Sequence, residues 1–421
     1  MADLKSNCDK LNNNEFNMRM LELGKELLHD IVKANYEAYI VGGTVRDIAM
    51  GHDDIHDVDI ATNMPIEIIK NTYKTVEYGG GEKHGTIIVV YKGYSFELTQ
   101  FRCDGFYTDG RRPDDVTFVE DFKTDCSRRD FTINAMGMNT FGSIVDFFNG
   151  MSDIQLGIIK TVGNAHDRFN EDALRMIRAC RFAGRFNFKI EDDTIEAIKS
   201  NKHLISNVSK ERILDEIKKA SSYGGIAFAK FITYMYTTGL LDLIICIKLS
   251  SKNFKEIISA LEYNDSKDFN TNLVILLFEC DESVKDDLKL SNENLEVIKF
   301  VNDNYSSYSL LNQMSRIKAY EICSHKHFKV LRACYIAFEK HCELQDTMVS
   351  YVLEYKDAYD QQSIISDEML KTVKPSKAFG FMKREMLESH LHEFEMTKKL
   401  KSEDKIRIWV DEWLQEDKIF G

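Results

Sequence analysis

The sequence predicts an α+β protein in which a small α/β unit precedes a long all-helical remainder. Two observations carry that division. Up to about residue 150, short β-rich runs alternate with short amphipathic stretches, the pattern of a small α/β domain. From 221 onward, nearly every segment keeps a 3.6-residue period with few glycines. A chain of 421 residues with 43% hydrophobic content has room for about two to four domains with sizeable cores.

In chain order, residues 16–34 carry apolar positions at helical spacing and predict a leading helix. Glu37–Val41 and Asp57–Ala61 read as short strands around a helix that starts near Thr44. Pro65 suits the first turn of another helix, running to about Lys70. Thr86–Tyr91 and Tyr94–Phe101 are β-rich runs around Lys92-Gly93, predicting a hairpin. Residues 171–183, 191–200 and 209–220 then read as helices. The chain has only three prolines (Pro65, Pro113, Pro375), so composition does not announce its linkers. The change in character places domains at 1–151, 152–220, 221–300 and 301–421, with no internal repeat.

Composition narrows the function classes. No run of about 18 apolar residues is present to span a bilayer, and the opening MADLKSNCDK has no signal-peptide core. The nine cysteines are scattered without a CxxC pair, which predicts reduced thiols rather than disulfides or a zinc site. A cytoplasmic protein without membrane association is expected; oligomeric state is left open. The net charge of −13 points away from indiscriminate nucleic-acid binding. Arginines nevertheless crowd the region from Arg102 to Arg185, which allows a local basic groove on an acidic body.

The most informative stretch is Gly42-Gly43-Thr44-Val45-Arg46-Asp47, followed by Asp57-Val58-Asp59. A glycine turn entering a helix offers backbone N–H groups to phosphate oxygens. Alternate strand residues share a face, so Asp57 and Asp59 would project together and repel unless a hard cation, with Mg²⁺ the natural choice, sat between them. A DxD pair alone is common; the adjacent glycine turn is what gives it weight. Glu97 could add a third carboxylate or be a solvated strand residue.

Arg128-Arg129-Asp130-Phe131-Thr132-Ile133-Asn134-Ala135 supplies phosphate-binding arginines, with Asp130 and Asn134 one helical turn apart and able to read a ribose hydroxyl. A capped surface helix with solvated charges would give the same octapeptide. In Glu171-Asp172-Ala173-Leu174-Arg175-Met176-Ile177-Arg178, residues Asp172 and Arg175 would share a helix face, an acceptor beside a forked donor. That pair complements the Watson–Crick edges of cytosine and adenine and meets uracil and guanine with acceptors opposed. An ordinary i,i+3 ion pair is the plainer alternative.

The ordered set GGTVRD, DVDIATN, RRDFTINAM, DFFNG and EDALRMIRACRFA closely resembles the class II CCA-adding tRNA nucleotidyltransferases and bacterial poly(A) polymerases, over roughly residues 30–220. The resemblance implies a nucleotidyltransferase-fold head followed by an extended helical neck, body and tail in a seahorse shape. It further implies that Asp57 and Asp59 hold two Mg²⁺ ions and that Glu97 matches the family's third head carboxylate. Gly42, Gly43 and Arg46 match its triphosphate-binding turn; Arg128 and Asp130 fall at its phosphate and ribose contacts, beside Asn134. Asp172 and Arg175 match the protein template that selects CTP and then ATP, with Arg178 and Arg181 beside it. Asp146 corresponds to the hinge element between head and neck, and Ser209-Lys210-Glu211-Arg212-Ile213 resembles the last neck motif.

The reaction so implied is attack of an RNA 3′-hydroxyl on the α-phosphate of CTP or ATP, with release of pyrophosphate. Positioning and charge stabilisation do most of the work. Within the family, Arg102 to Pro113 resembles the flexible loop that CC-only enzymes lack, and the chain shows no extended basic C-terminal region of the poly(A) polymerase kind. Both features favour full CCA addition over CC addition, A addition or poly(A) tailing. The helical tail is expected to grip the tRNA elbow by shape and scattered basic residues. His341, His390 and His392 match no phosphohydrolase signature, and Lys374–Gly380 only faintly resembles the family's tail. A non-catalytic RNA-binding or nucleotide-sensing protein is the reading from another class; the intact Asp57, Asp59, Asp172 and Arg175 count against it.

Overall fold

The structure is a computed structural model and describes residues 2–52, 57–76, 85–105, 116–245, 251–278, 287–311, 314–340 and 387–388. The loop residues 106–113, His341, His390, His392 and Lys374–Gly380 lie outside the described residues. The described chain forms two compact units, one of residues 1–250 with 283–289, the other of 251–282 with 290–421.

In the first unit, α1 (Ala2–Lys33) leads into β1 (Ala38–Val41), α2 (Gly43–Ala49), β2 (Asp59–Thr62), α3 (Ile66–Thr72) and β3 (Lys74–Val76). Pro65 stands immediately before α3, where its missing N–H costs nothing. The hairpin β4 (Thr86–Tyr91) and β5 (Tyr94–Gln100) follows, its two turn residues Lys92 and Gly93 both at positive φ, 48° and 89°. Such a turn matches the twist of the paired strands. Then come β6 (Arg102–Asp104), β7 (Val116–Phe118), α4 (Phe122–Ser127), a 3-10 turn over Thr132–Asn134, β8 (Met136–Met138), β9 (Ile144–Asp146) and α5 (Gly150–Leu156).

One seven-stranded sheet runs in the order β3-β4-β5-β2-β1-β8-β9. Its strands alternate their faces as the pleat requires. Ala38 and Ile40 of β1, Ile60 of β2 and Phe96 and Leu98 of β5 pack against Leu23, Leu27, Leu28 and Ile31 of α1. On the other face, Val41 and Ala61 join Phe101, Phe122, Cys126 and Ala135. The expected α+β division holds, with the sheet confined to the head region.

After the sheet come β10 (Ile158–Ile159), α6 (Ala165–Glu171), α7 (Leu174–Phe186), β11 (Lys189–Ile190), α8 (Asp192–Asn201), α9 (Lys210–Ser221), α10 (Gly225–Thr237) and α11 (Leu241–Ile245). Strands β10 and β11 pair in parallel, Ile158 with Lys189 and Ile159 with Ile190. Helices α7 and α10 cross closely at Gly184, where an added Cβ would stand 2.5 Å from the Ala227 carbonyl oxygen and 3.2 Å from the Phe231 Cβ. The second unit consists, among the described residues, of α12 (Ser251–Asn264), α13 (Phe269–Leu276), α14 (Asn292–Tyr308), α15 (Arg316–Ser324) and α16 (Phe328–Glu339). Asp268 caps α13 and a Ser291–Asn294 capping box opens α14. Leu273, Val297, Val301, Leu331 and Cys334 are buried within it. No described helix is long and apolar enough to cross a membrane.

The helix contact at residue 184 generates a prediction. Gly184→Ala should destabilise the protein by about 1–3 kcal/mol, because a backbone oxygen rather than a movable side chain meets the new methyl. A lowered thermal midpoint of the first unit checks it; an unchanged midpoint would contradict it.

Candidate active site

The sheet register lays out the acidic part of the site. Val41 pairs with Asp59 across antiparallel β1–β2, and Asp59 pairs with Glu97 across parallel β2–β5. Asp59 shares the face of Ala61, and Glu97 opposes the face of Phe96 and Leu98. Both carboxylates therefore stand on the side covered by α4 and the segment that follows it. Asp57 does not sit on the strand as the alternation predicted: β2 begins at Asp59. Asp57 is exposed, and its carbonyl accepts a hydrogen bond from the Thr44 hydroxyl. The short strand leaves this residue to be fixed by α2 instead.

Burial first, then the charges of Glu97 and Asp57, pushes the Asp59 carboxyl up to about 6, with Arg129 pulling the other way. A carboxylate so disfavoured in its charged form is a fitting ligand for a cation. Among the described residues no three His, Cys, Asp or Glu side chains converge into a closed cage. The donor set fits a Mg²⁺ ion, which is commonly held by one or two carboxylates together with substrate oxygens.

The glycine turn lies against this acidic row. Gly42, at φ +76°, follows Val41 directly, and a Cβ there would stand 3.4 Å from Asp59 Oδ2. Gly43 opens α2, and Arg46 follows one turn later. Arg46 is buried rather than presented to the turn's open side. Its Nη1 donates to Asn134 Oδ1 at 2.7 Å and its Nε to Asp47 Oδ1 at 2.9 Å.

Asn134 continues the connection, its Nδ2 donating to Asp130 Oδ1 at 3.0 Å. Arg178 of α7 donates to Asp130 Oδ2 from Nε and Nη2, at 2.9 and 2.5 Å. Arg178 also lies 3.8 Å from Glu216 of α9, whose other oxygen accepts from Arg181 Nε at 2.5 Å. The structure thus brings Arg46, Asn134, Asp130, Arg178 and Arg181 into one run, joined through a buried carboxylate, Glu216. Arg181 is itself buried, with its Nη1 on the Tyr223 hydroxyl at 3.2 Å.

Asp172 and Arg175 do not share a helix face. Asp172 ends α6 at φ −143°, and α7 begins only at Leu174, because Asp172 Oδ1 takes the Leu174 N–H at 3.0 Å and bends the chain there. Asp172 Oδ2 accepts from Arg212 Nη2 of α9 at 2.8 Å. Arg175 Nη1 donates to Glu171 at 2.6 Å and to the Arg168 carbonyl at 3.2 Å, and its Nη2 to the Arg128 carbonyl at 2.9 Å. Each residue is held by other partners, with the two still adjoining across the helix break. Asp146 accepts from the backbone N–H groups of Phe148, Gly150 and Met151, fixing the step from β9 into α5.

Arg128 and Arg129 are organised by Asp125, a fully buried carboxylate that reading from the sequence missed. Arg128 donates to its Oδ1 from Nε (2.9 Å) and Nη2 (2.7 Å), and Arg129 to its Oδ2 (3.0 Å). The i,i+3 and i,i+4 spacing on α4 was a usable signal. Glu216, and the rings of Phe182 and Phe186 whose centres lie 5.4 and 4.7 Å from the Arg46 guanidinium carbon, carried no comparable local sign.

Comparison with known proteins places these features in a family. The profile described as "Poly A polymerase head domain" matches residues 38–160, and that described as "Probable RNA and SrmB- binding site of polymerase A" matches residues 187–245. A CCA-adding enzyme of Lactobacillus johnsonii is 50% identical over 194 residues, 46% of this chain and 48% of that protein. The chain thus spans about half the length of that curated relative. A CCA-adding enzyme of Lactobacillus helveticus is 38% identical over 295 residues, 69% of each chain. The crystal structure of the Bacillus stearothermophilus CCA-adding enzyme in complex with CTP is similar with a TM-score of 0.74 at 26% identity, over 95% of this chain and 99% of that one.

The Asp130 linkage is testable by pH. Burial alone would raise its carboxyl, but the charge of Arg178 and hydrogen bonds from Asn134 and Arg178 outweigh it and hold the group at about 2, against an ordinary 3.8. The ionised form therefore stabilises the fold above about pH 4, and that contribution fades as pH falls toward about 2. It amounts to about 2 kcal/mol. Asp130→Asn should lose roughly this much at pH 7 and show a shallower decline in urea-unfolding midpoint between about pH 4 and 2. Identical pH slopes in the two proteins would refute the linkage.

Proposed function

Because this chain belongs to the CCA-adding enzyme family, we propose that it adds C, C and A to the 3′ end of tRNA. CTP and ATP are the substrates, pyrophosphate is released and no nucleic-acid template is used. The observation that carries this reading is the row formed by Val41, Asp59 and Glu97, with the Gly42 turn beside Asp59 Oδ2. It sets a phosphate-binding backbone next to carboxylates suited to a cation, which is the arrangement that nucleotidyl transfer needs. The solution of the Bacillus stearothermophilus relative with CTP supports that nucleotide as a substrate.

In this reading Asp57 and Asp59 hold Mg²⁺, with Glu97 alongside. The ion, when bound, supplies a lowered pKa for the RNA 3′-hydroxyl and neutralises charge at the phosphates. The chain's own groups do the placing. Backbone N–H groups of the Gly42-Gly43 turn face the triphosphate, Arg128 adds positive charge, and the Asp130–Asn134 pair faces the ribose. Asp172 Oδ2 retains a lone pair beyond its bond to Arg212 and can accept the amine of cytosine or adenine, while Arg175 offers donors to the ring acceptors. Uracil opposes an acceptor to Asp172 and is disfavoured, because two acceptors then face each other with no hydrogen between them. The five cysteines described as free, Cys103, Cys126, Cys180, Cys323 and Cys334, accord with work in the cytoplasm.

The test supplies Mg²⁺ and a tRNA lacking its 3′ end, with CTP, ATP or both. Three additions ending in A are expected. Arrest after two C residues, a requirement for a CC-ended tRNA, or a long A tail would each select a different relative; tRNA binding without incorporation would select a sensor. Asp59→Ala should abolish incorporation. Asp172→Ala should reduce the preference for CTP over UTP by roughly tenfold to a hundredfold while changing triphosphate affinity far less. Undiminished discrimination would remove Asp172 from base selection.

A further inference from the structure

A side chain outside both sequence motifs ties the base-selecting end of the site to the phosphate-binding end. Arg168 lies on α6, seven residues before Arg175. Its Nη1 donates to the Ser127 carbonyl at 3.0 Å, and its Nη2 pairs with Glu171 Oε1. The other oxygen of Glu171 accepts from Arg175 Nη1 at 2.6 Å. Arg175 Nη2 in turn donates to the Arg128 carbonyl at 2.9 Å, and Ser127 and Arg128 are consecutive. These contacts close into a ring: two guanidinium groups, joined by one carboxylate, grip adjacent carbonyls where α4 ends. Carbonyls at a helix C-terminus lack partners within the helix and favour cations, so the grip satisfies them. The Arg168 carbonyl adds a second bond to Arg175 Nη1, at 3.2 Å.

We infer that Arg168 is a positioning residue for base selection: through Glu171 and the Ser127 carbonyl it holds Arg175 in a fixed place beside Arg128. The inference rests on the nucleotidyl-transfer reading above, in which Arg175 faces the base. The ring uses both hydrogens of Arg175 Nη1 and one on Nη2, leaving Nε and the other Nη2 hydrogen as donors. Cytosine meets them with its N3 and O2 acceptors. Uracil carries a hydrogen on N3, so a donor there faces a donor. Such discrimination lasts only while the guanidinium cannot turn. Glu171 holds Arg175 at a single nitrogen, and Arg168 is what keeps Glu171 in place. The same ring sets base against phosphate, because the residue whose side chain is assigned to phosphate, Arg128, is the one whose carbonyl orients Arg175. Without Arg168, Glu171 is released and Arg175 swings, which weakens base choice and alignment and leaves the glycine turn untouched.

The test compares CTP with UTP in the full-length protein, through single additions to a tRNA that lacks its 3′ end. For Arg168→Ala we expect the kcat/KM for CTP, relative to that for UTP, to fall at least about fivefold. A merely structural loss lowers the active fraction, which scales both nucleotides alike and leaves that ratio where it was. An unchanged ratio therefore overturns the inference. Arg168→Ala added to Arg175→Ala should lower the ratio no further than Arg175→Ala alone, because Arg168 acts through Arg175. Additive losses would overturn the inference, since Arg168 would then influence base choice by itself.

If Arg168→Ala fails to fold, Arg168→Lys decides in its place. Lysine keeps the charge but lacks the fork that spans the Ser127 carbonyl and Glu171. A lowered ratio supports the positioning role, and an unchanged one overturns it. Should the parent protein incorporate no nucleotide, the nucleotidyl-transfer reading fails by itself. Equilibrium dialysis then decides the role of Arg168. A preference for binding CTP over UTP that falls in Arg168→Ala supports it; an unchanged preference, or a parent that does not distinguish the two, overturns it.

Discussion

Strand register across β1, β2 and β5 is the constraint on which the rest of the site depends. The seven-stranded sheet is antiparallel at every described pairing except β2 with β5, and that parallel pair is what sets Asp59 beside Glu97. Parallel neighbours require a crossover, here supplied by α3, β3 and β4 between them. A slip of one residue on β2 would turn Asp59 toward Leu23, Leu27 and Ile31 and bring Ile60 out of that core. Burying an unpaired carboxylate among aliphatic side chains is prohibitive, so the apolar alternation and the acidic row enforce the same register. The glycine turn inherits its place from this arrangement because it begins one residue after the Val41–Asp59 pair.

Electrostatics repeats one motif around the site. Among the described residues, Asp47 is shared by Arg46 and Arg185, Asp125 by Arg128 and Arg129, Glu171 by Arg168 and Arg175, and Glu216 by Arg178 and Arg181. Each carboxylate orders two guanidinium groups; the trios around Asp47, Asp125 and Glu171 each keep one positive charge, while Asp130 balances the one around Glu216. An acidic chain of net charge −13 thereby keeps a fixed cationic lining where anionic substrates would lie. The arginines are oriented before any ligand arrives, which lowers the ordering cost at binding.

Much of this was legible in the sequence where the signal was local. The Lys92-Gly93 hairpin, the helix after Pro65 and the helical stretches past residue 150 follow from turn chemistry and periodicity. The glycine turn, the aspartates and the arginine-rich motifs also announced themselves by spacing. What escaped was set by distant or subtle causes. Arg46 owes its burial to Asn134, 88 residues on, and to rings still farther along the chain. The break between α6 and α7 carries no proline or glycine; a single side-chain bond from Asp172 to the Leu174 N–H makes it, so the stretch reads as one continuous helix. Asp57 fell off its strand because β2 is only four residues long and begins two residues later.

That side-chain bond has an evolutionary reach. The same carboxylate that starts α7 through Leu174 is the group proposed to read the incoming base, and its other oxygen anchors Arg212. Loss of a comparable helix-start acceptor costs about 0.5–2 kcal/mol. A substitution that altered base preference at Asp172 would therefore also loosen the helix carrying Arg175 and Arg178. Drift toward a new nucleotide preference is penalised by instability at the very step that would create it, so fidelity at this position is guarded by folding as well as by chemistry.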